Sequence, residues 1–197
     1  MTATAAGLVL AAGEGRRLGR PKALVELDGE RLVDRAIRVA RDAGCDPIHV
    51  VLGAAAQEVV RAASLDDAVV HVNDGWPEGI GSSLRCGLTA LAERHAPAAV
   101  VLLVDQPELG AATVRRLVDA WRDSGARAVV ATYDGRPRNP VLLDASTWAE
   151  IAATARGDTG ARTWLQAHAD DVVHVACDDL GSGADIDTPA DLERYET

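Results

Sequence analysis

Residues 6–22 read AGLVLAAGEGRRLGRPK, and this stretch decides the kind of fold to expect. Its first part, residues 6–11, is an apolar run that is typical of a buried strand. Behind that run, glycines at positions 13, 15 and 19 lie among basic residues that include Arg17 and Lys22. Glycine turns expose N–H groups that can cradle an anion, and both basic side chains can reach the same anion. The stretch therefore predicts a first strand followed by a phosphate-binding loop.

The loop matches neither of the two most familiar phosphate-binding motifs. A dinucleotide-binding fold needs G-x-G-x-x-G and an acidic residue at the end of the second strand. Here the third glycine comes one residue too late, and the second predicted strand ends in Leu52-Gly53. A P-loop needs a Gly-Lys pair, and the sequence has none. The pattern argues against a P-loop enzyme and against a Rossmann oxidoreductase.

Short apolar runs alternate with helical patterns along the rest of the chain. Buried strands are predicted at 6–11, 48–52, 69–72, 100–104 and 128–131, with helices at 31–43, 54–63, 82–93 and 111–123. A further strand at 140–143, helices near 147–155 and 160–168, a last strand at 172–175 and a closing helix at 189–195 complete the chain. This alternation predicts one α/β domain over residues 1–197, with a mostly parallel sheet covered on both faces.

Composition narrows the class of function. The chain has 197 residues, is 48% hydrophobic and carries a formal net charge of −10. The acidic balance argues against nucleic-acid binding, and the lack of a long apolar run predicts no membrane span. The three cysteines have no metal-ligand spacing, so reduced thiols are expected. Together with an N-terminus that reads as a strand rather than a signal peptide, these features predict a cytoplasmic protein.

The segments that follow the predicted strands are rich in glycine and charge. They are residues 12–22, 73–83, 105–109 and 133–139. In open α/β sheets ligands bind beyond the carboxyl ends of the strands. We therefore expect these four segments to meet in one cleft.

Motifs along nearly the whole chain carry a family resemblance. The pattern L-A-A-G-x-G-x-R-x-G-x-P-K ends at Lys22, and it is followed in order by WPEGIGSSLRCGL, LLVDQPEL, NPVLL, GDTGAR and DIDTPADL. In this pattern the chain resembles the MobA/MocA-like nucleotidyltransferases, closest to molybdenum cofactor cytidylyltransferase. The resemblance implies a Rossmann-like three-layer sandwich of the nucleotide-diphospho-sugar transferase kind, in agreement with the strand and helix pattern.

The resemblance also implies a reaction. CMP would pass from CTP to the phosphate of molybdopterin-bound molybdenum cofactor, releasing pyrophosphate with the help of Mg²⁺. Because the attacking phosphate is already an anion, positioning and charge compensation are the tasks left to the protein. Arg17 would hold the triphosphate, and Lys22 would stabilise the transition state. Asp105, which directly follows an apolar run, would bind the metal.

A second metal ligand is expected from the motif DIDTPADL. We select Asp187, which directly precedes Thr-Pro, over Asp185. Asp187 could instead cap the closing helix, since Pro189 stands at a first-turn position. If Thr188 is that cap, Asp187 is left free for the metal.

The nucleotide site is expected along the first loop and the third helix. By resemblance it comprises Leu10, Ala11, Ala12, Gly13, Gly15, Arg17, Lys22, Gly53, Gly79, Ser82 and Ser83. One of the two serines is expected to cap the helix, and the resemblance favours Ser83 as the partner of a pyrimidine. Guanylyltransferase relatives have glycine where this chain has Ala12. The alanine methyl group would narrow the base pocket and favour cytosine.

The acceptor site is where the sequence departs from the family pattern. Arg138-Asn139-Pro140 stands where cytidylyltransferases usually have Gly-His-Pro. Asn139 could still hydrogen-bond the acceptor, while Arg138 adds a charge that fits an acceptor phosphate or a different acceptor. GDTGAR resembles the family's GDKGAR, and we interpret it as a loop that closes over the acceptor. Asp158 would cap the next helix and Arg162 would contact an anion.

Other functions remain open at this point. The chain could use GTP, could modify another small phosphorylated acceptor, or could be a nucleotide- or cofactor-binding chaperone without turnover. Lys22, Asp105 and Asp187 argue against the chaperone, because binding alone would not require all three. A molybdoenzyme that receives the product is a possible partner. Three of the tryptophans, at positions 121, 148 and 164, fall on helical patterns and are expected in the core, whereas Trp76 lies in a cleft segment.

Overall fold

A computed structural model describes residues 4–66 and 68–195. Its strands are β1 (Ala6–Ala11), β2 (Glu26–Leu27), β3 (Glu30–Arg31), β4 (Ile48–Leu52), β5 (Val69–Val72), β6 (Ala98–Leu103), β7 (Ala128–Tyr133), β8 (Arg136–Asp144) and β9 (Val172–Ala176). Its α-helices are α1 (Leu32–Asp42), α2 (Ala56–Ala62), α3 (Ile80–Ala92), α4 (Ala111–Ser124), α5 (Trp148–Thr154), α6 (Arg162–Ala167) and α7 (Pro189–Glu193). Short 3₁₀ turns include Lys22–Leu24, Trp76–Glu78 and Gly157–Thr159.

The strands form one seven-stranded sheet and a two-stranded hairpin. The order in the large sheet is β5-β4-β1-β6-β8-β7-β9, and β2 pairs with β3. Strand β1 is parallel to β4 and β6, and β7 is parallel to β9. Strand β8 runs antiparallel to both of its neighbours. The predicted fold class, a mostly parallel α/β sandwich of the nucleotide-diphospho-sugar transferase kind, is confirmed.

Each face of the sheet packs its own apolar core. Side chains alternate along β1, so Val9 enters the core shared with α1 and α4, while Leu8 and Leu10 enter the core shared with α3 and α5. All three of these side chains are at most 5% exposed. The predicted core positions of Trp121, Trp148 and Trp164 are correct, and these residues anchor the helices on the two faces.

The predicted strand and helix positions agree closely with the observed elements, with one error of burial. Residues 69–72 form a strand, but not a buried one: Val69 is 38% exposed and Val72 is 55% exposed. The reason is topological, because β5 is the edge strand and, among the described strands, pairs only with β4. A run of β-branched residues predicts a strand without telling whether its faces are covered.

Strand β8 is longer than predicted and positions a candidate loop. It starts at Arg136 and pairs with β7 in a hairpin. The register shifts between Val130 and Ala131, whose partners are Val141 and Arg138. Asn139 and Pro140 fall into this bulge. Bulges redirect side chains beside functional sites, and this one brings Arg138 and Asn139 to the end of the sheet where β6 stops.

The closing helix α7 begins as the sequence predicts. Thr188 is its N-cap: the hydroxyl accepts a hydrogen bond from the Asp191 backbone N–H, and the Asp191 carboxylate accepts one from the Thr188 N–H in return. Asp187 is therefore not the cap, and its carboxylate is available for other contacts.

Among the residues that the structure describes, no helix is long and apolar enough to cross a bilayer. Cys45, Cys86 and Cys177 are unpaired thiols. Burial raises the pKa of the Cys45 thiol to about 11, which keeps it protonated and unreactive at neutral pH.

Candidate functional site

Four charged side chains meet beyond the end of β1 and β6. Lys22 Nζ lies 2.6 Å from Asp105 Oδ2 and 2.6 Å from Asp187 Oδ1. Arg17 donates from its guanidinium to Asp187 Oδ2 at 3.0 Å. The Lys22 and Asp105 side chains are only 16% and 18% exposed, whereas that of Arg17 is 71% exposed. We refer to these four residues as the lysine–aspartate cluster.

Residues far apart in sequence form this cluster because three chain segments end at the same edge of the sheet. Asp105 follows β6 by two residues, and Lys22 opens the 3₁₀ turn that ends the glycine loop. The backbone N–H of Ile186 donates to the Asp105 carbonyl at 2.8 Å, which ties the segment carrying Asp187 to the end of β6. Two of the four segments expected to share a cleft, the first loop and the segment after β6, therefore meet here, and the C-terminal motif joins them through Asp187.

The cluster stabilises the charged forms of Lys22 and Asp187. Burial disfavours the charged form of Lys22, but the Asp105 and Asp187 carboxylates outweigh it and raise the pKa of the amine. The hydrogen bond from Lys22 lowers the pKa of Asp187. Both groups are therefore charged at neutral pH. Lys22 is also the only lysine in a chain with nineteen arginines, so a compact, strongly hydrated cation is found at this one place.

The acidic pair fits a divalent metal. Asp105 Oδ1 is buried and has no hydrogen-bond partner among the described residues, so one carboxylate oxygen is left for a ligand. Within residues 4–66 and 68–195 there is no group of three or more His, Cys, Asp or Glu side chains arranged to hold a metal. Mg²⁺ and similar hard cations commonly take one or two carboxylates, several waters and phosphate oxygens. Two carboxylates beside a triphosphate would meet that requirement.

A third carboxylate, Asp185, lies beside the cluster, and its pKa is shifted in the opposite direction from that of Asp187. Its Oδ1 is buried and has no hydrogen-bond partner in the part of the chain that the structure describes. Burial, together with the nearby Asp105 charge, raises the pKa of Asp185 to about 6, while Arg138 opposes the shift. This carboxyl therefore holds its proton more tightly than Asp187 does. The sequence alone offers no means of separating the two members of D-I-D so clearly.

Asp185 is expected to make stability depend on pH. Because its pKa rises from 3.8 to about 6 on folding, the folded state binds more protons than the unfolded chain across that interval. Stability should therefore fall as pH rises from 3.8 through about 6, and the loss should be complete above that range. Asp185→Asn should remove the loss, so it should raise the melting temperature at about pH 8 in EDTA and change it little at about pH 4.

Thermal unfolding at the two pH values checks this expectation. Asp170→Asn is the matched control, because Asp170 is solvent-exposed. A melting temperature of Asp185→Asn that is lower than wild type at about pH 8 would contradict the assignment of Asp185 as a destabilising buried carboxylate.

The glycines of the first loop are needed for different reasons. Gly15 has a φ of +66° and a side chain there would collide with the carbonyl of Arg20, so the folded loop itself excludes any other residue. Leu18 and Gly19 donate their N–H groups to the Gly15 carbonyl, which closes the turn. A side chain at Gly13 would meet no atom within 4 Å. Gly13 therefore borders open space, as a phosphate-binding position would.

The expected base site lies where the first loop meets β4. Ala12 is 7% exposed, and its carbonyl accepts a hydrogen bond from the Ala54 N–H at 3.0 Å. A Cβ atom at Gly53 would lie 2.8 Å from the Ala12 methyl and 2.5 Å from the Trp76 Cβ. Gly53 thus lets Ala12 and Trp76 approach each other. Trp76 is half-buried at this place, in line with its expected position in the cleft.

The expected capping role of Ser82 or Ser83 is wrong. Helix α3 begins two residues earlier, at Ile80, with Gly79 as its N-cap and no side-chain cap. The Ser82 hydroxyl donates to backbone carbonyls of Gly75 and Gly79, and Asn73 donates to both serine hydroxyls at 2.8 and 3.1 Å. A glycine N-cap with positive φ is a weak helix-start signal, which is why the predicted helix begins too late.

The loop that carries Asp158 packs directly against the start of α3. A Cβ atom at Gly79 would lie 2.6 Å from Asp158 Oδ1, and one at Gly81 would lie 2.8 Å from the Arg156 nitrogen. These glycines therefore permit a close approach of two loops. The expected cap role of Asp158 is wrong, since α6 has Ala161 at its N-cap and no side-chain cap. Asp158 lies in the preceding 3₁₀ turn instead.

A large cavity lies between the sheet face and α6, next to the cluster. Its volume is about 800 Å³. Four of the five residues expected to bind an acceptor line it, namely Arg138, Asn139, Asp158 and Arg162. The fifth, Pro140, is buried in the β8 bulge and is not part of the lining. Leu10, expected at the nucleotide, also contributes its side chain to this cavity.

Gln106 and Asp185 are cavity residues to which the sequence patterns assign no role. Gln106 is 6% exposed, and its amide nitrogen lies 3.4 Å from the Gly183 carbonyl and 3.5 Å from that of Asn139. It connects the end of β6, the β8 bulge and the C-terminal segment. The sequence feature that could have indicated Gln106 as a site residue is its position directly after Asp105, at the end of a buried strand.

Comparison with known proteins identifies the family to which this fold belongs. A family model described as "MobA-like NTP transferase domain" matches residues 7–172. The chain belongs to this family of MobA-like NTP transferases, as the motifs suggest.

Two curated relatives extend across much of the chain. One, named "Nicotine blue oxidoreductase", from Paenarthrobacter nicotinovorans, is 37% identical over 195 residues, which is 95% of this chain and 94% of that protein. Another, named "Probable molybdenum cofactor guanylyltransferase", from Opitutus terrae, is 40% identical over 134 residues, which is 66% of this chain and 61% of that protein. The family therefore includes proteins named for different reactions.

A solved structure aligns with the whole chain. Rv0371c from Mycobacterium tuberculosis H37Rv matches with a TM-score of 0.83 and 32% identity over 100% of both chains. A second structure of Rv0371c, described as a complex with manganese, matches with a TM-score of 0.77 and 30% identity over 98% of this chain and 99% of that one. A similar protein thus binds a divalent metal.

Proposed function

We propose that the protein is a Mg²⁺-dependent cytidylyltransferase that moves CMP from CTP to the phosphate of molybdopterin-bound molybdenum cofactor and releases pyrophosphate. The observation that carries the proposal is the lysine–aspartate cluster, in which one buried amine lies 2.6 Å from two carboxylates beside a glycine loop. Family membership, by a match over residues 7–172, adds support for nucleotidyl transfer.

The reaction requires the protein to bring several negatively charged groups close together. The acceptor phosphate attacks the α-phosphorus of the nucleotide, a new P–O bond forms, and the bond to the pyrophosphate oxygen breaks. A bound Mg²⁺, held by Asp105 and Asp187, would supply charge compensation at the phosphates. Arg17 is exposed and would reach out to hold the triphosphate, while Lys22, which two carboxylates hold in place, would act at the reacting centre. Lys22 would exchange a carboxylate contact for a phosphate oxygen as charge builds up in the transition state.

Ala12 supports CTP as the donor. A Cβ atom at Gly53 would approach both the Ala12 methyl group and the Trp76 side chain closely, so the space at this place is limited. A pyrimidine fits beside that methyl group more readily than a purine does. The Ser83 hydroxyl is held by Asn73 at 3.1 Å and is the candidate partner for the polar edge of the base.

Base preference tests this part of the proposal. CTP should exceed GTP by at least about tenfold in kcat/KM, because an unpaired polar group in a closed pocket costs about 1–3 kcal/mol. Ala12→Gly should narrow the preference by admitting the larger base, and Ser83→Ala should lower CTP use. Ala55→Gly is the matched control for removal of a methyl group near the same strand end. A wild-type enzyme that prefers GTP, or is indifferent to the base, would rule out the cytidylyltransferase assignment and leave nucleotidyl transfer standing.

The acceptor side supports a phosphorylated pterin. Arg138 and Arg162 are exposed and line the cavity, so they can meet an anionic group on a ligand. Asn139 offers an amide at the same place. A molybdoenzyme would be the partner that receives the dinucleotide product.

A second candidate is an oxidoreductase of this fold. It is favoured by the 37% identity to a protein named nicotine blue oxidoreductase over 95% of the chain. The missing dinucleotide fingerprint argues against the Rossmann mode of binding, but it does not address other modes. Oxidation of NADH or NADPH in the presence of a heteroaromatic dye separates the two candidates, because nucleotidyl transfer predicts no such oxidation.

A further inference from the structure

Glu78 and Arg85 form an ion pair at the junction of two loops that border the candidate site. Arg85, on α3, donates from Nη1 to Glu78 Oε1 at 2.9 Å and from Nη2 to Glu78 Oε2 at 2.5 Å. Its Nη1 also donates to the carbonyl of Ala155, the residue that ends α5, at 2.5 Å. One guanidinium group therefore holds the 3₁₀ turn Trp76–Glu78 and the end of α5 at the same time.

The ion pair also holds the backbone of the loop that follows α5. The hydrogen bonds from Arg85 lower the pKa of Glu78, and a hydrogen bond from the Gly157 backbone N–H to the carboxylate adds a smaller effect in the same direction. A Cβ atom at Gly79 would lie 2.6 Å from the Gly157 carbonyl oxygen, so the two backbones are in close contact here. The loop after α5 is thus fixed from the side of α3.

Residues 156–160 of this loop form a closed turn. Thr159 donates from its N–H and from its hydroxyl to the Arg156 carbonyl, at 3.2 and 2.8 Å. Asp158 in this turn and Arg162, two residues after it, line the large cavity. Because the turn is closed by its own hydrogen bonds, a displacement of its first residues would displace these two cavity residues as well.

The 3₁₀ turn that carries Glu78 also carries Trp76, which borders the expected base site. A Cβ atom at Gly53 would lie 2.5 Å from the Trp76 Cβ and 2.8 Å from the Ala12 methyl group. The ion pair therefore connects a wall of the expected nucleotide site with a wall of the cavity. Neither Glu78 nor Arg85 lines that cavity or belongs to the lysine–aspartate cluster.

A contribution to stability does not account for this arrangement. The Glu78 and Arg85 side chains are 41% and 27% exposed, and ion pairs near solvent contribute little to stability. A bidentate pair fixes geometry instead, because the planar guanidinium presents its N–H groups in a rigid fork. The carboxylate and the Ala155 carbonyl therefore keep fixed places relative to α3.

We propose that Glu78 and Arg85 are positioning residues, which hold residues 156–160, and with them the cavity side chains Asp158 and Arg162, in place relative to the nucleotide site. They act through the loop and contact neither substrate. The proposal rests on the proposed function in one respect, namely that the two sites hold the donor and the acceptor of one transfer reaction.

Native-state hydrogen exchange tests the positioning of the loop without any substrate. Arg85→Met keeps a long side chain but removes every donor, so backbone amides of residues 156–160 should exchange at least about tenfold faster than in wild type. Arg85→Lys keeps the charge without the planar fork and should give an intermediate rate. Unchanged exchange of residues 156–160 in Arg85→Met would overturn the proposal.

Arg116 provides a matched control, because its contacts have the same form. It donates from both terminal nitrogens to the Asp179 carboxylate and from Nη1 to the Ala176 carbonyl, but it lies on α4 and outside the cavity lining. Arg116→Met should leave the exchange of residues 156–160 and the kinetic constants as in wild type. If Arg116→Met changes them as much as Arg85→Met does, the effect is a general loss of stability and the proposal is overturned.

Kinetic constants for the two substrates separate positioning from folding. In Arg85→Met the KM for molybdenum cofactor should rise at least about tenfold and the KM for CTP less than about threefold, because the displaced side chains line the cavity. Glu78→Gln should act in the same direction. The double variant should be no worse than the more impaired single variant, since both changes break one interaction. An unchanged KM for the cofactor, an equal rise of both KM values, or additive effects would overturn the proposal.

The exchange measurement fails or succeeds independently of the proposed function. Faster exchange in Arg85→Met, with no pyrophosphate release from any nucleotide, would retain the positioning of the loop and reject the cytidylyltransferase. Pyrophosphate release together with unchanged exchange would retain nucleotidyl transfer and reject the positioning role.

Discussion

Replacement of Lys22 by alanine is expected to lower kcat by roughly 10²-fold or more, while KM for the nucleotide changes much less. The reason is the position of the amine, 2.6 Å from Asp105 and 2.6 Å from Asp187, where it can follow charge as it develops on the transferred phosphate. Arg17, with its side chain 71% exposed, can provide ground-state binding of the triphosphate without Lys22. Steady-state kinetics with varied nucleotide at saturating acceptor gives the two constants separately.

Two further variants make this result interpretable. Lys22→Ala leaves two carboxylates close together without their cation, so its folding must be checked by thermal unfolding. Lys22→Arg keeps the charge but replaces a compact ammonium by a planar guanidinium, and it should recover only a part of kcat. Arg20→Ala, in the same loop and exposed, is the control. An unchanged kcat with a raised KM in Lys22→Ala would contradict the transition-state role.

Asp105→Asn is expected to reduce metal-supported turnover below detection, a loss of roughly 10³-fold or more. Asp105 is the less exposed of the two cluster aspartates, at 18% against 36% for Asp187, and its buried Oδ1 has no partner within residues 4–66 and 68–195. An amide at this place keeps the shape but loses the negative charge that a hard cation requires. Asp187→Asn should also lower turnover strongly, but to a smaller extent than Asp105→Asn does.

Metal binding itself gives an independent readout for these variants. Mn²⁺ titration followed by electron paramagnetic resonance, in the presence of CTP, should show weaker binding by Asp105→Asn and Asp187→Asn. The exposed Asp170→Asn should behave as wild type. If Asp185→Asn weakens metal binding more than Asp187→Asn does, the choice of ligand within D-I-D-T-P is mistaken.

Local patterns in the sequence are enough to predict most of the fold. The residues of β1, β4 and β5 are predicted with the bounds that the structure has, because short apolar runs between glycine-rich or polar segments define them. The exposure of Val69 and Val72 could not be predicted in this way. Burial of a strand depends on its place in the sheet order, and sheet order is a property of the whole chain.

The candidate site, like the fold, has one part that the sequence predicts and another part that it does not. The meeting of Lys22 and Asp105 follows from the rule that ligands bind beyond the carboxyl ends of parallel strands, whereas Asp187 is expected there only because the family resemblance implies it. The roles of Gln106 and Asp185 depend instead on which oxygen is buried and unpartnered, and that is decided by the packing of the β8 bulge against the C-terminal segment. No local sequence pattern predicts such packing.

Pyrophosphate release with purified molybdopterin cofactor tests the proposed function most directly. Each of CTP, GTP, ATP and UTP is supplied with Mg²⁺, with and without the cofactor, and the cofactor is analysed by mass spectrometry afterwards. If the protein is a cytidylyltransferase, pyrophosphate release should require both CTP and the cofactor. One CMP should be added to the cofactor for each pyrophosphate formed. Absence of release with all four nucleotides, or release without any nucleotidyl product on the cofactor, would contradict it.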